Sequence, residues 1–481
     1  MSEIRRADVI IALRSDLSET HPVIKSEVVL AVKRKKAKLI VVNSRNIYLN
    51  KFSVLNLRVQ PGSEVALVNG MMAVIARDSL AAEQFLQSRT EGGEALKQSL
   101  QSLSPQKTEE QTGVEADTLI EAARLYAKAQ RAVILISTGQ NSGTQDPALA
   151  QAAADLALLA GKIGKEGCGV FVLGEKNNSQ GALDMGATPG LLPGYADLND
   201  PAERFRFEKA WGMSLPVQPG RDALGILQGI EEGQIKGLYL AGENPAATYP
   251  DSTRTKKAFS SLDFLVVQDC FLTETASLAH VVLPAATFAE KEGTFTNVDR
   301  RVQRVRPALS PLGEARSDLW IFQNLSRQMG VPLGPPSARE VNEEIRNLVS
   351  LYRGIEYARL DSPSCPAGIQ WPCPSSDHPG TPILYEKEFP RGKARLTYAD
   401  SKAGTAGTHS SFVLVTGPTM IHSGSLSTRS PGLVRLQGES FVLVPPADAR
   451  DLGLNEADTV SLESPQGRIQ VRVTISRKAA P

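Results

Sequence analysis

Short apolar runs alternate with amphipathic stretches along the first third of the chain. Three of the runs are almost wholly apolar, as is typical of strands buried on both faces of a parallel sheet, and they lie at 7–13, 37–43 and 131–136. Helical periodicity fills the intervals at 23–33, 63–77, 116–129 and 147–160. Ser63 and Asp146 are candidate N-caps, and Gly161 is a candidate C-terminal exit. This alternation predicts an α/β fold with doubly wound parallel sheets and right-handed crossovers.

The pattern changes twice further along the chain. Shorter strands with short helices between them are predicted at 236–241, 263–268 and 280–283. Residues 361–380 are rich in Pro, Ser and Gly and predict an irregular surface excursion, and 403–410 is typical of a linker. Beyond it, short alternating strands, beginning with FVLVT, predict a small C-terminal β-barrel. The expected domains are a dinucleotide-binding-like domain at 1–175, a second α/β domain at 176–390, a linker at 391–410 and the barrel at 411–481.

Composition narrows the classes of function. A length of 481 residues predicts about three domains, and a net charge of +1 provides no overall field for nucleic acid or an anionic membrane. No apolar run is long enough to span a bilayer, and the start of the chain becomes charged too soon for a signal peptide. We therefore expect a cytoplasmic chain that meets a membrane only indirectly, through a larger complex.

Cysteine and histidine spacing argues against a metal held by this chain. The four cysteines, Cys168, Cys270, Cys365 and Cys373, are scattered singly, so no iron–sulfur motif exists. The five histidines are likewise isolated. The sequence therefore predicts that this chain holds neither an iron–sulfur cluster nor another metal site.

Small polar residues follow three of the predicted strands, at 43–45, 138–144 and 242–245. Parallel sheets bind ligands outside the carboxyl ends of their strands, so these loops are candidate ligand contacts. Each is also compatible with an ordinary turn between a strand and a helix.

The segment 281–303, VVLPAATFAEKEGTFTNVDRRVQ, is the most informative in the chain. An apolar strand reaches Pro284, a charged turn follows, and a Gly-Thr step then leads to a basic pair; this order is not a product of simple periodicity. Together with KNNSQGALDMGATPGLLPGY at 176–195, GENPAATYPD at 242–251 and DFLVVQDCFLTETA at 263–276, it resembles the molybdopterin oxidoreductases. The opening of the chain resembles that family's dinucleotide-binding domain, and the part after residue 411 resembles its C-terminal domain.

Two branches of the family are suggested by different segments. SRTEG at 88–92 and IQWPCP at 369–374 resemble formate dehydrogenase catalytic chains, whereas HSGSLSTRS at 422–430 resembles the large peripheral-arm subunit of respiratory complex I, the NADH-quinone oxidoreductase. Our main expectation is a complex I-like scaffold beside an iron–sulfur electron path in a partner chain. The alternatives are part of a split formate dehydrogenase-type enzyme that binds bis-molybdopterin guanine dinucleotide, and a dinucleotide-binding or assembly protein without a redox role.

The resemblance implies a set of cofactor contacts. A guanine dinucleotide needs N–H groups for its pyrophosphate and polar side chains for its guanine and ribose. The implied contacts are Asn43, Glu64, Gly242, Glu243, Asn244, Gln268, Asp269 and His422. Glu290 and Glu292 could serve acid–base chemistry, but we expect them to pair with Arg300 or Arg301 and tie the turn together.

The chain also departs from the family pattern. In formate dehydrogenases an arginine precedes the NNxQGA motif and another follows the first strand of the last domain; Gly174 and Pro418 stand at these positions here. A guanidinium is the natural bidentate clamp for formate, so both changes remove charge and geometry. The family's iron–sulfur cysteines and its molybdenum ligand match no residue of this chain. We expect no catalytic residue in it, and expect a partner chain to supply the electron-transfer groups.

Overall fold

The computed structural model describes residues 1–138, 146–331, 333–334, 337–400, 412–417, 419–422, 424–464 and 467–479. They form two compact units. The first unit contains Met1–Glu175, Ile383–Ser423 and Ser427–Pro481, and the second contains Lys176–Pro382 and Gly424–Leu426. No helix in the described part of the chain is both long and apolar enough to cross a membrane.

A five-stranded parallel sheet forms the centre of the first unit. Its strands lie in the order Leu55–Arg58, Lys38–Asn43, Val9–Leu13, Ala132–Ser137, Gly169–Leu173. In the central strand, Ile11 is paired with Ile40 on one side and Ile134 on the other, and all three are buried. The order of strands reverses at this central strand, so the doubly wound α/β prediction is confirmed. The two edge strands were missed by the sequence pattern.

The helices of the first unit cover both faces of this sheet. They span Ser2–Arg6, Leu17–Thr20, Pro22–Lys35, Glu64–Arg77, Glu83–Arg89, Gly93–Leu100, Pro105–Thr112, Ala116–Lys128 and Asp146–Leu159, with a 3₁₀ turn at Tyr48–Phe52. The helix Glu64–Arg77 is buried at nearly every position and packs between its neighbours.

The predicted helix ends are met in different ways. Ser63 lies at the N-cap position, but its hydroxyl donates to the carbonyl of Gln60 and makes no cap, so that detail of the prediction is wrong. The side chain of Asp146 lies outside the described residues. Gly161 has a φ of +63°, and its N–H donates to the Leu158 carbonyl, as expected of a C-terminal exit.

The segment 394–399 returns from far along the chain to the first unit. Ala394–Arg395 pairs with Thr90–Glu91, and Leu396 joins the hydrophobic core. The Thr397 N–H donates to Asp155 Oδ1 at 3.3 Å, and the Gln151 amide donates to Asp155 Oδ2 at 3.1 Å. Asp155 is completely buried, and this burial raises its pKa to about 6.

The C-terminal part is a small sheet domain attached to the first unit. Strands Phe441–Val444, Gly467–Ile475 and Thr459–Ser464 form a three-stranded sheet in that order, and helices span Pro431–Gln437 and Pro446–Asp451. A short helix, Gly424–Ser427, precedes them, and its first three residues are assigned to the second unit. Residues 412–417, where FVLVT predicts a strand, form none. Asn46 anchors this domain, because its N–H donates to the Lys478 carbonyl at 3.1 Å and its side-chain amide donates to the Arg477 carbonyl at 2.9 Å.

The second unit contains a parallel and an antiparallel sheet. Strands Val281–Pro284, Phe264–Asp269 and Gly237–Ala241 form the parallel sheet in that order. Gly293–Thr296, Arg301–Val305 and Ile369–Gln370 form the antiparallel sheet, and Leu191–Leu192 pairs with Ala196–Asp197. Its helices span Ser179–Asp184, Pro201–Trp211, Ala223–Glu231, Pro245–Thr248, Ser252–Ser260, Asp318–Gln328, Ala338–Leu348 and Tyr357–Leu360, with 3₁₀ turns at Ala276–Leu278 and Ser350–Tyr352.

A buried carboxylate ties three segments of the second unit together. Asp184 Oδ1 accepts hydrogen bonds from Gln180 and Tyr195, and Oδ2 accepts them from Tyr352 and from the Trp371 indole. Trp371 and Cys373 are buried although both lie in the segment 361–380. The prediction that this segment is a surface excursion is therefore wrong in part, because its irregular backbone carries core side chains.

Candidate functional site

Polar residues collect at the carboxyl edge of the five-stranded sheet. Residues 14–16 follow the central strand, 43–45 and 137–138 follow its two neighbours, and Gly174 follows the last strand. This edge includes the point at which the strand order reverses, where open parallel sheets form a crevice between diverging loops. Most of the side chains at this edge are polar and nevertheless buried. The buried ones are those of Arg14, Ser15, Asp16, Asn43, Ser44 and Ser137.

Hydrogen bonds between the loops hold this edge in place. Ser15 Oγ accepts the Ser137 N–H at 2.7 Å and so connects the loops of two neighbouring strands. Asn43 Oδ1 accepts the Arg45 N–H at 3.2 Å, and Arg45 Nη2 donates to Asp16 Oδ2 at 3.1 Å. Burial raises the pKa of Asp16, and the charge of Arg45 opposes that shift. The loops are thus preorganised by the protein itself.

Several buried polar atoms at this edge have no hydrogen-bond partner among the described residues. They include Ser18 Oγ, His21 Nδ1, Glu64 Oε2 and Ser137 Oγ. A buried polar group without a partner costs roughly 1–3 kcal/mol, so native folds rarely keep several of them in one place. Such a group is expected where a ligand completes the hydrogen bonding.

Burial controls the charge of the groups around these atoms. It raises the pKa of Glu64, although backbone N–H groups and the charge of Arg14 act in the opposite direction. It lowers the pKa of Arg14 and of His21. His21 Nε2 lies 3.1 Å from the Gly174 carbonyl; when the neutral ring donates there, Nδ1 is left as an acceptor.

The C-terminal part contributes to the same edge. Gly417 lies against the Arg45 guanidinium, since a Cβ built on it would stand 3.0 Å from Nη2. The Met420 N–H donates to Glu19 Oε2 at 2.9 Å. His422 Nδ1 lies 3.2 Å from Ser427 Oγ, so its hydrogen bonding is within the C-terminal part. Pro418, where the resemblance places an arginine, lies outside the described residues.

The second unit presents its own carboxyl edge, at the parallel sheet. Gly242 and Glu243 are exposed there, and the left-handed φ of Gly242, +68°, turns the chain so that its N–H donates to the Gln268 carbonyl. Asp269 is half-buried and accepts the Phe271 N–H.

Asn244 and Gln268 are buried and held by the protein. The Asn244 amide donates to Glu274 at 2.8 Å and accepts the N–H and the hydroxyl of Thr275. Gln268 accepts the Tyr239 hydroxyl and donates to Asp318 at 2.6 Å. Both side chains therefore fasten the loops of this edge. A role in ligand contact stays a prediction for all eight residues that the sequence nominated.

The two glutamates of the acidic turn have structural partners. Glu290 accepts the N–H groups of Thr287 and Leu312, and Glu292 forms a salt bridge with Arg304. The expected pairing with Arg300 or Arg301 is wrong, because those two side chains are directed to backbone carbonyls around Trp371 and Gly368.

Sequence reasoning missed Ser18, His21 and Ser137. Each lies at or shortly after the end of a strand, as candidate contacts do, but nothing in the local pattern shows which polar atoms the fold leaves without a partner. Within the described ranges, no group of three His, Cys, Asp or Glu side chains comes together that could hold a metal ion.

Two family models match the chain. One, described as molybdopterin oxidoreductase, matches residues 1–328, and the other, described as molybdopterin dinucleotide binding domain, matches residues 412–481. Among solved structures, acetylene hydratase from Pelobacter acetylenicus aligns with a TM-score of 0.69 at 18% sequence identity, over 100% of this chain and 72% of that chain. That similarity concerns the fold alone.

Curated relatives align along nearly the whole chain. The F420-dependent formate dehydrogenase subunit alpha of Methanocaldococcus jannaschii is 39% identical over 486 residues, which is 99% of this chain and 71% of that protein. Formate dehydrogenase H of Escherichia coli is 33% identical, over 99% of this chain and 67% of its own length. The assimilatory nitrate reductase catalytic subunit of Bacillus subtilis is 34% identical, over 99% of this chain and 69% of that protein. These relatives favour the formate dehydrogenase interpretation over the complex I interpretation that was our main expectation.

Proposed function

The chain belongs to the molybdopterin oxidoreductase family, and from this premise we propose that it is the alpha-type, cofactor-holding part of a formate dehydrogenase. The observation that carries the proposal is the set of buried polar atoms without partners, among the described residues, at the carboxyl edge of the first sheet. Their chemistry fits a molybdopterin dinucleotide, which presents many hydroxyl, amide and phosphate groups to a crevice of this kind.

Particular residues suit particular parts of that group. The Glu64 carboxylate is an acceptor matched to the N–H donors of a guanine edge. His21 Nδ1 is an acceptor for a ribose or pterin donor, and the hydroxyls of Ser18 and Ser137 can both donate and accept. The Asn43 amide can bind a ribose hydroxyl. When bound, the molybdopterin group supplies the two-electron redox chemistry, and this chain's residues bind it, orient it and exclude water from it.

The second parallel sheet is proposed to hold a further dinucleotide at its own carboxyl edge. Gly242, Glu243 and Asp269 are accessible there, while Asn244 and Gln268 keep the loops in position. Partner subunits are part of the proposal, because the relative from M. jannaschii is named as an alpha subunit. An iron–sulfur chain among them would carry electrons away from the cofactor.

Gly174 supports a second candidate, in which the substrate is an oxyanion such as nitrate. The position to which the resemblance assigns a formate-binding arginine has no side chain here, and its carbonyl is engaged with His21. The B. subtilis relative is a nitrate reductase subunit. Formate remains the first candidate, since formate dehydrogenases are the relatives with the highest identity given above.

The test begins with the complex purified from its native host through a tag on this chain. Molybdenum or tungsten and guanine dinucleotide in stoichiometric amounts, with formate-dependent reduction of an artificial dye, are the expected result. Nitrate-dependent oxidation of the reduced dye without formate activity would select the second candidate. If the purified complex contained neither metal nor pterin, the proposal would be refuted and the scaffold interpretation would be favoured.

A pair of variants tests the first edge directly. Glu64→Gln should lower the bound guanine dinucleotide at least severalfold, because an amide presents a donor to the guanine donors. Asp155→Asn is the matched control: Asp155 is also a buried carboxyl of the first unit with a raised pKa, but both of its oxygens accept hydrogen bonds, from Thr397 and Gln151. Equal dinucleotide content in both variants and in the parent would exclude Glu64 from the site.

A further inference from the structure

The helix Pro22–Lys35 and the turn after it carry an unusual excess of positive charge. Residues 22–38 contain six Lys or Arg and a single carboxylate, Glu27, in a chain whose total charge is only +1. Lys51 projects from the neighbouring 3₁₀ turn. We call this set the basic surface; it comprises Lys25, Lys33, Arg34, Lys35, Lys36, Lys38 and Lys51.

None of these seven cations has a carboxylate partner among the described residues. The one carboxylate of the helix, Glu27, is bound in bidentate fashion by Arg5, which lowers its pKa. Six of the cations are exposed, and Lys25 alone is partly buried. The positive charge of the basic surface is therefore not neutralised within the described part of the chain.

Two aromatic rings organise part of the surface. The ammonium groups of Lys25 and Lys51 lie 5.4 and 5.0 Å from the centre of the Tyr48 ring, and that of Lys33 lies 5.2 Å from the centre of the Phe52 ring. Tyr48 is 45% exposed. Cation–π contact restrains the lysine side chains, so less entropy is lost when a partner engages them.

We propose that the basic surface docks an acidic face of a partner protein. Charge complementarity of this kind steers association and sets register at protein interfaces. A membrane is the poorer fit, because Ile24, Val28 and Ala31 of the helix are buried within the first unit and cannot insert. The exposed apolar residue Val23 lies at the opposite end of the helix from the cations at 33–38. Nucleic acid is also poorer, since six of the seven cations are lysines, which lack the forked geometry that binds phosphate in bidentate fashion.

The docking surface is separate from the proposed cofactor site. His21, at the carboxyl edge, precedes the first residue of the helix, and the cations at 33–38 lie at its other end. A helix of 14 residues is about 21 Å long, so substitutions at the far end do not touch the cofactor contacts. Failure of the docking proposal and failure of the proposed reaction can therefore be told apart.

The test uses the complex as it exists in the native host. Zero-length carbodiimide cross-linking, which joins lysines to carboxylates, should connect Lys33, Lys35 or Lys36 to Asp or Glu side chains of another polypeptide. The triple variant Lys33→Gln, Arg34→Gln, Lys35→Gln should weaken binding of that cross-linked protein about tenfold near 0.15 M salt and flatten its salt dependence.

A matched triple variant provides the control, with Lys209, Lys256 and Lys257 each changed to Gln; all three are exposed lysines of the second unit. It should bind the partner like the parent chain, and both variants should retain the parent's dinucleotide content. The proposal is overturned if the two triples behave alike, if cross-links avoid residues 25–51, or if nuclease treatment or vesicles of phosphatidylserine release the partner.

Discussion

Replacing Asp155 with asparagine should stabilise the first unit at neutral and alkaline pH. The carboxyl is fully buried, where it accepts hydrogen bonds from Thr397 N–H and the Gln151 amide. Asparagine keeps an oxygen for Thr397, and the Gln151 amide can rotate to face the new NH₂ group. The substitution therefore removes the charge while it keeps the shape and the hydrogen bonds.

The magnitude follows from the pKa. Burial raises the pKa of Asp155 from 3.8 to about 6, and a tenfold change in acidity corresponds to about 1.4 kcal/mol, so ionisation inside the fold costs roughly 3 kcal/mol. Because the folded pKa is the higher one, the folded chain retains a proton that the unfolded chain has released. Stability from this group is thus present below pH 4 and is lost as pH rises through about 6.

Hydrogen exchange of peptides covering 146–159 and 394–400 measures the effect locally, as a chain of two units need not unfold in one step. Asp155→Asn should protect these peptides more than the parent does at pH 8, by up to roughly 3 kcal/mol in opening free energy, and equally at pH 4. Glu121→Gln, an exposed carboxylate on the helix Ala116–Lys128, is the control and should change little. Equal pH dependence in parent and Asp155→Asn, or lower protection of the variant at pH 8, would refute the reasoning.

Three further substitutions have definite expectations. Asp184→Asn replaces one acceptor oxygen with an NH₂ group, which would face two of the donors that now bond to the carboxylate. The free energy of unfolding of the second unit should fall by about 3 kcal/mol, measured by urea unfolding with Trp371 fluorescence. Gly354→Ala places a Cβ 1.9 Å from the Ser375 carbonyl oxygen and should cost about 2 kcal/mol or more in the same assay; an unchanged midpoint would show that the backbone can yield there. Arg45→Met leaves the buried Asp16 carboxylate without its cation; pulse proteolysis should show a loss of about 2 kcal/mol at pH 8 that disappears near pH 4, as Asp16 takes up a proton.

Local sequence patterns located most of the elements and the family. The apolar runs at 7–13, 37–43 and 131–136 became the three inner strands of the first sheet, since a strand buried on both faces must be apolar throughout. The edge strand Leu55–Arg58 was not predicted because it is short and alternates apolar with polar residues. Gly169–Leu173 was not predicted either, although its sequence, GVFVL, is an apolar run like those of the inner strands. Motif order along the chain identified the family. The segment HSGSLS, together with Gly174, Pro418 and the missing iron–sulfur cysteines, favoured the complex I branch.

The sequence by itself thus determined the α/β class, the order of the elements and the loops at the strand ends, because periodicity and turn chemistry are properties of neighbouring residues. Only the tertiary structure decided which polar side chains form hydrogen bonds within the protein and which keep an atom available for a ligand. Asn244 and Gln268 form hydrogen bonds with residues 29 or more positions away in the sequence. Glu64 and Ser137 each have a buried polar atom without a partner among the described residues. Asp155 accepts a hydrogen bond from Thr397, 242 residues away. Burial and hydrogen bonding depend on atoms brought together from far along the chain, and no local pattern contains that information.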